Sequence, residues 1–137
     1  MPSASSSRLL YLDSSALVKL VVAEPETPVL LEFLAGWPYR VSSVLARVEV
    51  ARAVKRASAG PAARRRAKRV LARVALVRID DPVIAAAARV TPPELRTLDA
   101  IHLATARSLD DLAGIVTYDS RLGRAASRAR LKVWSPA

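Results

Sequence analysis

Residues 8–22 read RLLYLDSSALVKLVV, and this stretch decides the fold. Arg8 to Leu12 is an apolar run of strand length, closed by the polar triplet Asp13-Ser14-Ser15. Ala16 to Val22 then has the make-up of a helix that stops before Glu24-Pro25. The same alternation continues along the chain. Thr27-Pro28 caps and opens a helix to about Ala35, which Gly36-Trp37-Pro38 breaks. Arg40 to Ser42 is a short strand, Ser43 caps a helix from Val44 to about Ser58, and Gly60-Pro61 opens another to about Ala72. Val74 to Ile79 is a β-branched run, and Asp81-Pro82 caps a helix through Arg89. Leu98 to Leu109 is a helix apolar on most of its faces, as a buried one must be. Gly114 to Tyr118 is a strand, Asp119 starts a short helix, and Leu131 to Trp134 is a last strand. Strands alternating with helices through short turns imply an α/β fold, with a parallel sheet covered on both faces.

The 137 residues, 52% of them apolar and 25% charged, suit one domain and exclude intrinsic disorder. Residues 1–7, MPSASSS, are expected to be a disordered tail, leaving 8–137 as the domain. With no cysteine, thiol catalysis, disulfide scaffolds and zinc–cysteine sites are excluded. No export signal is visible, and Asp13 and Lys19 interrupt an apolar stretch too short to span a bilayer, so a cytoplasmic protein without a membrane partner is expected. Lysine and arginine number 22 against 12 acids, a net charge of +10 that favours a polyanionic partner.

Of the twelve acids, eight have ordinary roles as caps, turn residues or solvated helix faces. Four remain. Asp13 closes the first strand, Glu49 lies between two valines, Asp99 starts the most apolar helix, and Asp119 closes the strand that precedes it. In an open α/β sheet the carboxyl ends of the strands share one edge, where ligands bind. Asp13 and Asp119 belong to that edge directly, and Glu49 and Asp99 can reach it from the first turns of helices. Four carboxylates there would raise one another's pKa unless a cation lay among them, and an oxygen-only set suits Mg²⁺ or Mn²⁺. Such ions activate water against a phosphodiester. Each acid also has a plain alternative: Asp13 and Asp119 as helix caps, Glu49 as a partner of Arg52, Asp99 as a complement to the helix dipole.

Four segments, LYLDSSALVK around Asp13, RVEVARA around Glu49, LDAIHLATA around Asp99 and VTYDSRL around Asp119, resemble the PIN-domain ribonucleases in order and spacing, specifically the VapC-type toxins. The resemblance covers about residues 8–137. It implies a three-layer α/β/α sandwich with a central parallel sheet and a Mg²⁺ or Mn²⁺ site formed by Asp13, Glu49, Asp99 and Asp119, with Asp13 and Asp99 nearest the metal. It further implies endonucleolytic cleavage of RNA, inhibition by a cognate antitoxin, and a homodimer. Ser15 and Thr117 match small hydroxyl positions near such a site.

His102, the one histidine, lies three residues after Asp99 on the same side of its helix and reads as a packing residue or a support for the acids. A serine triad through Ser14 or Ser15 lacks the Gly-x-Ser-x-Gly elbow, and no phosphate-binding glycine loop occurs. From Val50 to Ile79 there is no acid, and Arg52, Arg56, Arg65, Arg69 and Arg73 are candidates to contact RNA or an antitoxin, or else a solvated face. Two other functions stay open: a catalytically silent RNA- or protein-binding module, and a metal-dependent DNA nuclease.

Overall fold

Leu10, Tyr11 and Leu12 are fully inaccessible because their strand, β1 (Leu9–Leu12), is the middle one of five. Alternation along it feeds two cores. Leu10 and Leu12 pack on one face, Tyr11 on the other. The structure, a computed structural model, describes residues 8–137; the tail expected at 1–7 lies outside the described residues.

On the Leu10 side lie α1 (Ser14–Val21), α2 (Thr27–Leu34), α3 (Ala46–Arg56) and α4 (Gly60–Ala72), contributing Leu17, Leu30, Val50 and Ala63 to that core. On the Tyr11 side lie α5 (Asp81–Ala88), α6 (Thr97–Arg107) and α7 (Ser120–Arg128), where Leu103, Ile115 and Leu122 are the main fillers. The remaining strands are β2 (Arg40–Ser43), β3 (Ala75–Val77), β4 (Leu112–Val116) and β5 (Val133–Trp134). Every pairing is parallel and the order is β3-β2-β1-β4-β5. The expected α/β/α sandwich is therefore what forms. The chain builds outward from β1 to one side, then returns to the other through β4. That reversal puts the switch point, and the crevice it opens, at the carboxyl ends of β1 and β4.

Several boundaries move for physical reasons. α1 begins at Ser14 because Asp13 accepts the Ala16 amide as its N-cap. α3 begins at Ala46, since the Val44 amide still bonds the Val77 carbonyl and Ser43 Oγ takes the Leu45 amide. Asp80, one residue earlier than expected, caps α5 through the Val83 amide. β4 spans Leu112–Val116; just beyond it the Thr117 hydroxyl turns to Asp13, and the Tyr118 hydroxyl donates to the Pro136 carbonyl.

Gly114 is needed where β5 crosses close to β4. A Cβ there would stand 2.5 Å from the Lys132 carbonyl oxygen and 2.5 Å from the Trp134 ring. Backbone cannot yield as a side-chain tip can. Gly114→Ala is expected to cost about 1–3 kcal/mol through overpacking, read as a lower urea midpoint, with loss of β5 protection in hydrogen exchange.

Candidate active site

Asp13 follows directly from β1 and is 3% exposed. Its Oδ1 accepts from the Ser15 hydroxyl at 2.6 Å and the Ala16 amide at 3.0 Å, and its Oδ2 from Thr117 Oγ1 at 2.6 Å. Burial pushes the Asp13 carboxyl above the usual range, and these three donors offset that only in part. Thr117 also accepts the Asp119 amide at 3.1 Å, so one hydroxyl joins the acids that follow β1 and β4. Ser15 and Thr117, singled out as hydroxyl positions, are thus both brought to Asp13. Asp119 itself caps α7, accepting the Arg121 and Leu122 amides.

Glu49 comes in from the first turn of α3 and is tied to α6 by His102. The His102 Nε2 lies 2.7 Å from Glu49 Oε1, and the Ser14 hydroxyl donates to the same oxygen. On the other side of the ring, the Tyr11 hydroxyl lies 2.6 Å from Nδ1. Burial drives the Tyr11 hydroxyl far above its ordinary pKa, so it stays protonated and donates to Nδ1. The network then assigns the proton of the neutral imidazole to Nε2, which donates to Glu49. Burial pushes the Glu49 carboxyl up, but the bonds from His102 and Ser14 outweigh it and leave it below the ordinary range. This arrangement is not a serine-hydrolase triad. Ser14 gives its proton to the acid, and the ring nitrogen that a triad carboxylate would orient is occupied by a tyrosine.

Asp99 opens α6. Burial, then the charge of Asp119, raise its carboxyl, while Arg96 opposes both. Arg96 is the residue that sequence reasoning missed. As the N-cap of α6 it reaches Asp99 Oδ2 through Nε at 3.2 Å and Asp119 Oδ2 through Nη2 at 2.8 Å. Its side chain is 66% exposed, so one edge of the guanidinium meets the acids and the rest meets solvent. Its place three residues before Asp99 was the available signal. Arg96 therefore bridges Asp99 and Asp119, Thr117 joins Asp13 to Asp119, and Ser14 and His102 hold Glu49 beside them.

Among the described residues no group of three or more His, Asp or Glu side chains closes into a ready metal cage. The donor chemistry nonetheless fits a hard divalent cation. All candidate ligands are oxygens, two carboxyls are raised by burial, and one arginine cannot neutralise four acids. By contrast, Arg52, Arg56, Arg65, Arg69 and Arg73 are exposed, and none makes an ion pair among the described residues. Arg69 and Arg73 line a groove with Leu20, Leu31 and Val70 on the α1–α4 side of the sheet.

A parallel sheet with an acidic crevice at its switch point defines a class of α/β domain whose chemistry sits at one sheet edge. The chain belongs to the PIN domain family, whose sequence profile matches residues 10–128. It is 48% identical over 128 residues to ribonuclease VapC46 of Mycobacterium tuberculosis strain H37Rv, covering 93% of this chain and 97% of that protein. Ribonuclease VapC35 of the same organism is 40% identical over 136 residues, with 93% and 97% covered. Among solved structures, VapC20 of M. tuberculosis, a sarcin-ricin loop cleaving toxin, superposes with a TM-score of 0.73 at 18% identity, over 93% of this chain and 99% of that one. A toxin-antitoxin complex from Klebsiella pneumoniae gives 0.68 at 20% identity, over 93% and 98%. At those identities the two structures speak to the fold.

Proposed function

We propose that this chain is a divalent-metal-dependent endoribonuclease, the toxin of a toxin–antitoxin pair, acting on RNA in the cytoplasm. The observation that carries the reading is that Asp13, Glu49, Asp99 and Asp119 are held at the switch point of the sheet, Asp13 and Asp119 by Thr117, Asp99 and Asp119 by Arg96, and Glu49 by Ser14 and His102. The names of the ribonuclease relatives and of the toxin-antitoxin neighbour support the substrate class and a cognate antitoxin as partner. A second copy of the chain is the other expected partner.

Asp13 and Asp99 would be the nearest ligands of Mg²⁺ or Mn²⁺, with Glu49 and Asp119 completing the acidic set. When bound, such an ion supplies a lowered pKa for water and charge stabilisation at the reacting phosphate. The protein's own groups have separate tasks. Glu49 is held ionised by His102 and Ser14 through Oε1, which leaves Oε2 to accept a hydrogen bond from an attacking water. Arg96 directs its remaining N–H groups outward, where they can grip a phosphate that the bare acids would repel. Thr117 and Ser15 fix the Asp13 carboxylate in place.

The test is cleavage of single-stranded and looped RNA, with parallel single- and double-stranded DNA, in Mg²⁺, in Mn²⁺ and after EDTA. RNA should be cut internally, with the activity lost in EDTA and restored by either ion. Preferential cutting of DNA would make the chain a DNA nuclease. Binding without turnover in either metal would make it a silent binding module. Either result overturns the proposal.

A further inference from the structure

Away from the acids, two cavities adjoin along α7. The larger, about 610 Å³, is lined by Arg89, Arg107 and Arg128 from three different helices. The second, about 370 Å³, is lined by Leu95, Arg121, Arg124 and the same Arg128. Sharing Arg128 and Ala125, they form one trough. Its near end lies beside the acidic crevice: Leu95 precedes Arg96, and the Arg121 amide bonds the Asp119 carboxylate. Five arginines face it with one acid, Glu94, and none of the five makes an ion pair among the described residues.

Helix stability accounts for only part of this. Arg89 caps the C-terminus of α5, and Arg107 and Arg128 end α6 and α7, so each complements a C-terminal dipole. A dipole end carries about half a charge, so three whole charges are not consumed there. Arg121 sits in the first turn of α7, where the positive end of the dipole disfavours it, and Arg124 sits mid-helix, where no dipole end favours it. Helix stability therefore leaves the charge of both free to meet an anion from outside the protein.

We propose that this trough carries the RNA strand away from the acidic site, its phosphates tracking Arg121, Arg124 and Arg128 along α7 toward Arg107 and Arg89. The inference rests on the nuclease reading above and adds the path of the substrate. Arg121 to Arg128 spans about 10 Å of helix. Among the described residues no aromatic side chain lines either cavity, so the trough holds backbone rather than stacking bases. The missing aromatic anchor and the start at the acids favour RNA over an acidic protein. The arginines of α4 have no such connection to the acids.

The test measures binding of a mixed-sequence single-stranded RNA to the Asp99→Asn chain in Mg²⁺ over a range of salt. Arg124→Ala/Arg128→Ala, added to that chain, is compared with Arg64→Ala/Lys68→Ala, which removes equal charge from the exposed face of α4. Alanine preserves both helices. The α7 pair should lower the slope of log affinity against log salt by about 1.4, from roughly 0.7 per phosphate contact, whereas the α4 pair should leave it unchanged. In the otherwise wild-type chain the α7 pair should raise KM about tenfold with kcat retained. Equal slopes for the two pairs would reduce the trough to bulk charge and overturn the proposal. So would an unchanged RNA slope with lost affinity for a poly-glutamate peptide, which would make it a protein-docking surface. Because binding is read on Asp99→Asn, the slopes decide the matter whether or not the wild-type chain cleaves.

Discussion

Asp13→Asn is expected to lower RNA cleavage by at least about 10²–10³-fold while changing the pH dependence of stability in a defined direction. The loss of activity follows from removing one charge of the set that would hold the divalent ion. The fold should persist, because an asparagine oxygen still caps α1 at the Ala16 amide and asparagine caps about as well as aspartate. The stability effect comes from the raised carboxyl. An unfolded aspartate titrates near about 3.9. In the folded protein the proton is retained to higher pH, so this group contributes stability that is full below the unfolded value and is lost as pH rises through the folded one. In EDTA, the melting temperature of the wild type should therefore fall relative to Asp13→Asn as pH climbs from about 4. Glu49, with its lowered carboxyl, acts in the opposite sense, and the difference between the two proteins cancels it. Divalent metal should close the gap by stabilising only the wild type. Wild-type cleavage by Asp13→Asn would remove Asp13 from the site. Parallel melting curves at all pH values would show that its burial is without electrostatic cost.

That opposition between stability and activity also explains what could be read in the sequence. Leu10, Tyr11 and Leu12 announce a buried strand by local pattern alone, and Asp13 stands out because a charge at the end of such a strand is costly. The four acids were legible for that reason. Arg96 was not: its place three residues before Asp99 hints at a single ion pair, which is weak among 22 basic residues, and only the approach of α6 to the start of α7 gives it two carboxylates. Tyr11 was hidden differently. It reads as one more apolar strand residue, and its hydroxyl gains meaning only when α6 lays His102 against it. The arginines of α7 are plain in the sequence as a second basic run after Asp119, but no periodicity could reveal that they lie on the face of the sheet opposite the run between Val50 and Ile79. The extra strand residues expected at Thr117 and Tyr118 were misread for a related reason: β-branched and aromatic side chains suit a strand, but Thr117 is used for its hydroxyl.

His102→Ala should produce the largest loss of stability of any change at the site, about 3 kcal/mol or more. The ring is 1% exposed and meets Tyr11 edge-on, with centroids 5.8 Å apart, so its removal leaves a cavity within the packed layer between β1 and α6. It also strands two polar groups at once. The Tyr11 hydroxyl loses its acceptor in a place water does not reach, and Glu49 keeps only Ser14. Tyr11→Phe separates these effects. It deletes the hydroxyl and leaves Nδ1 without its donor, a loss of about 1–3 kcal/mol, while the Nε2 bond to Glu49 survives. If His102 acts by holding Glu49, Tyr11→Phe should lose stability with cleavage largely kept, and His102→Ala should lose both. His102→Gln, whose side-chain amide can reach the same Glu49 oxygen, should recover cleavage more fully than stability. Urea midpoints and single-turnover rates at saturating Mg²⁺ measure the two properties separately. Equal cleavage by His102→Ala and the wild type would mean that α3 and the Ser14 hydroxyl suffice to position Glu49, and that the tyrosine–histidine pair serves packing only.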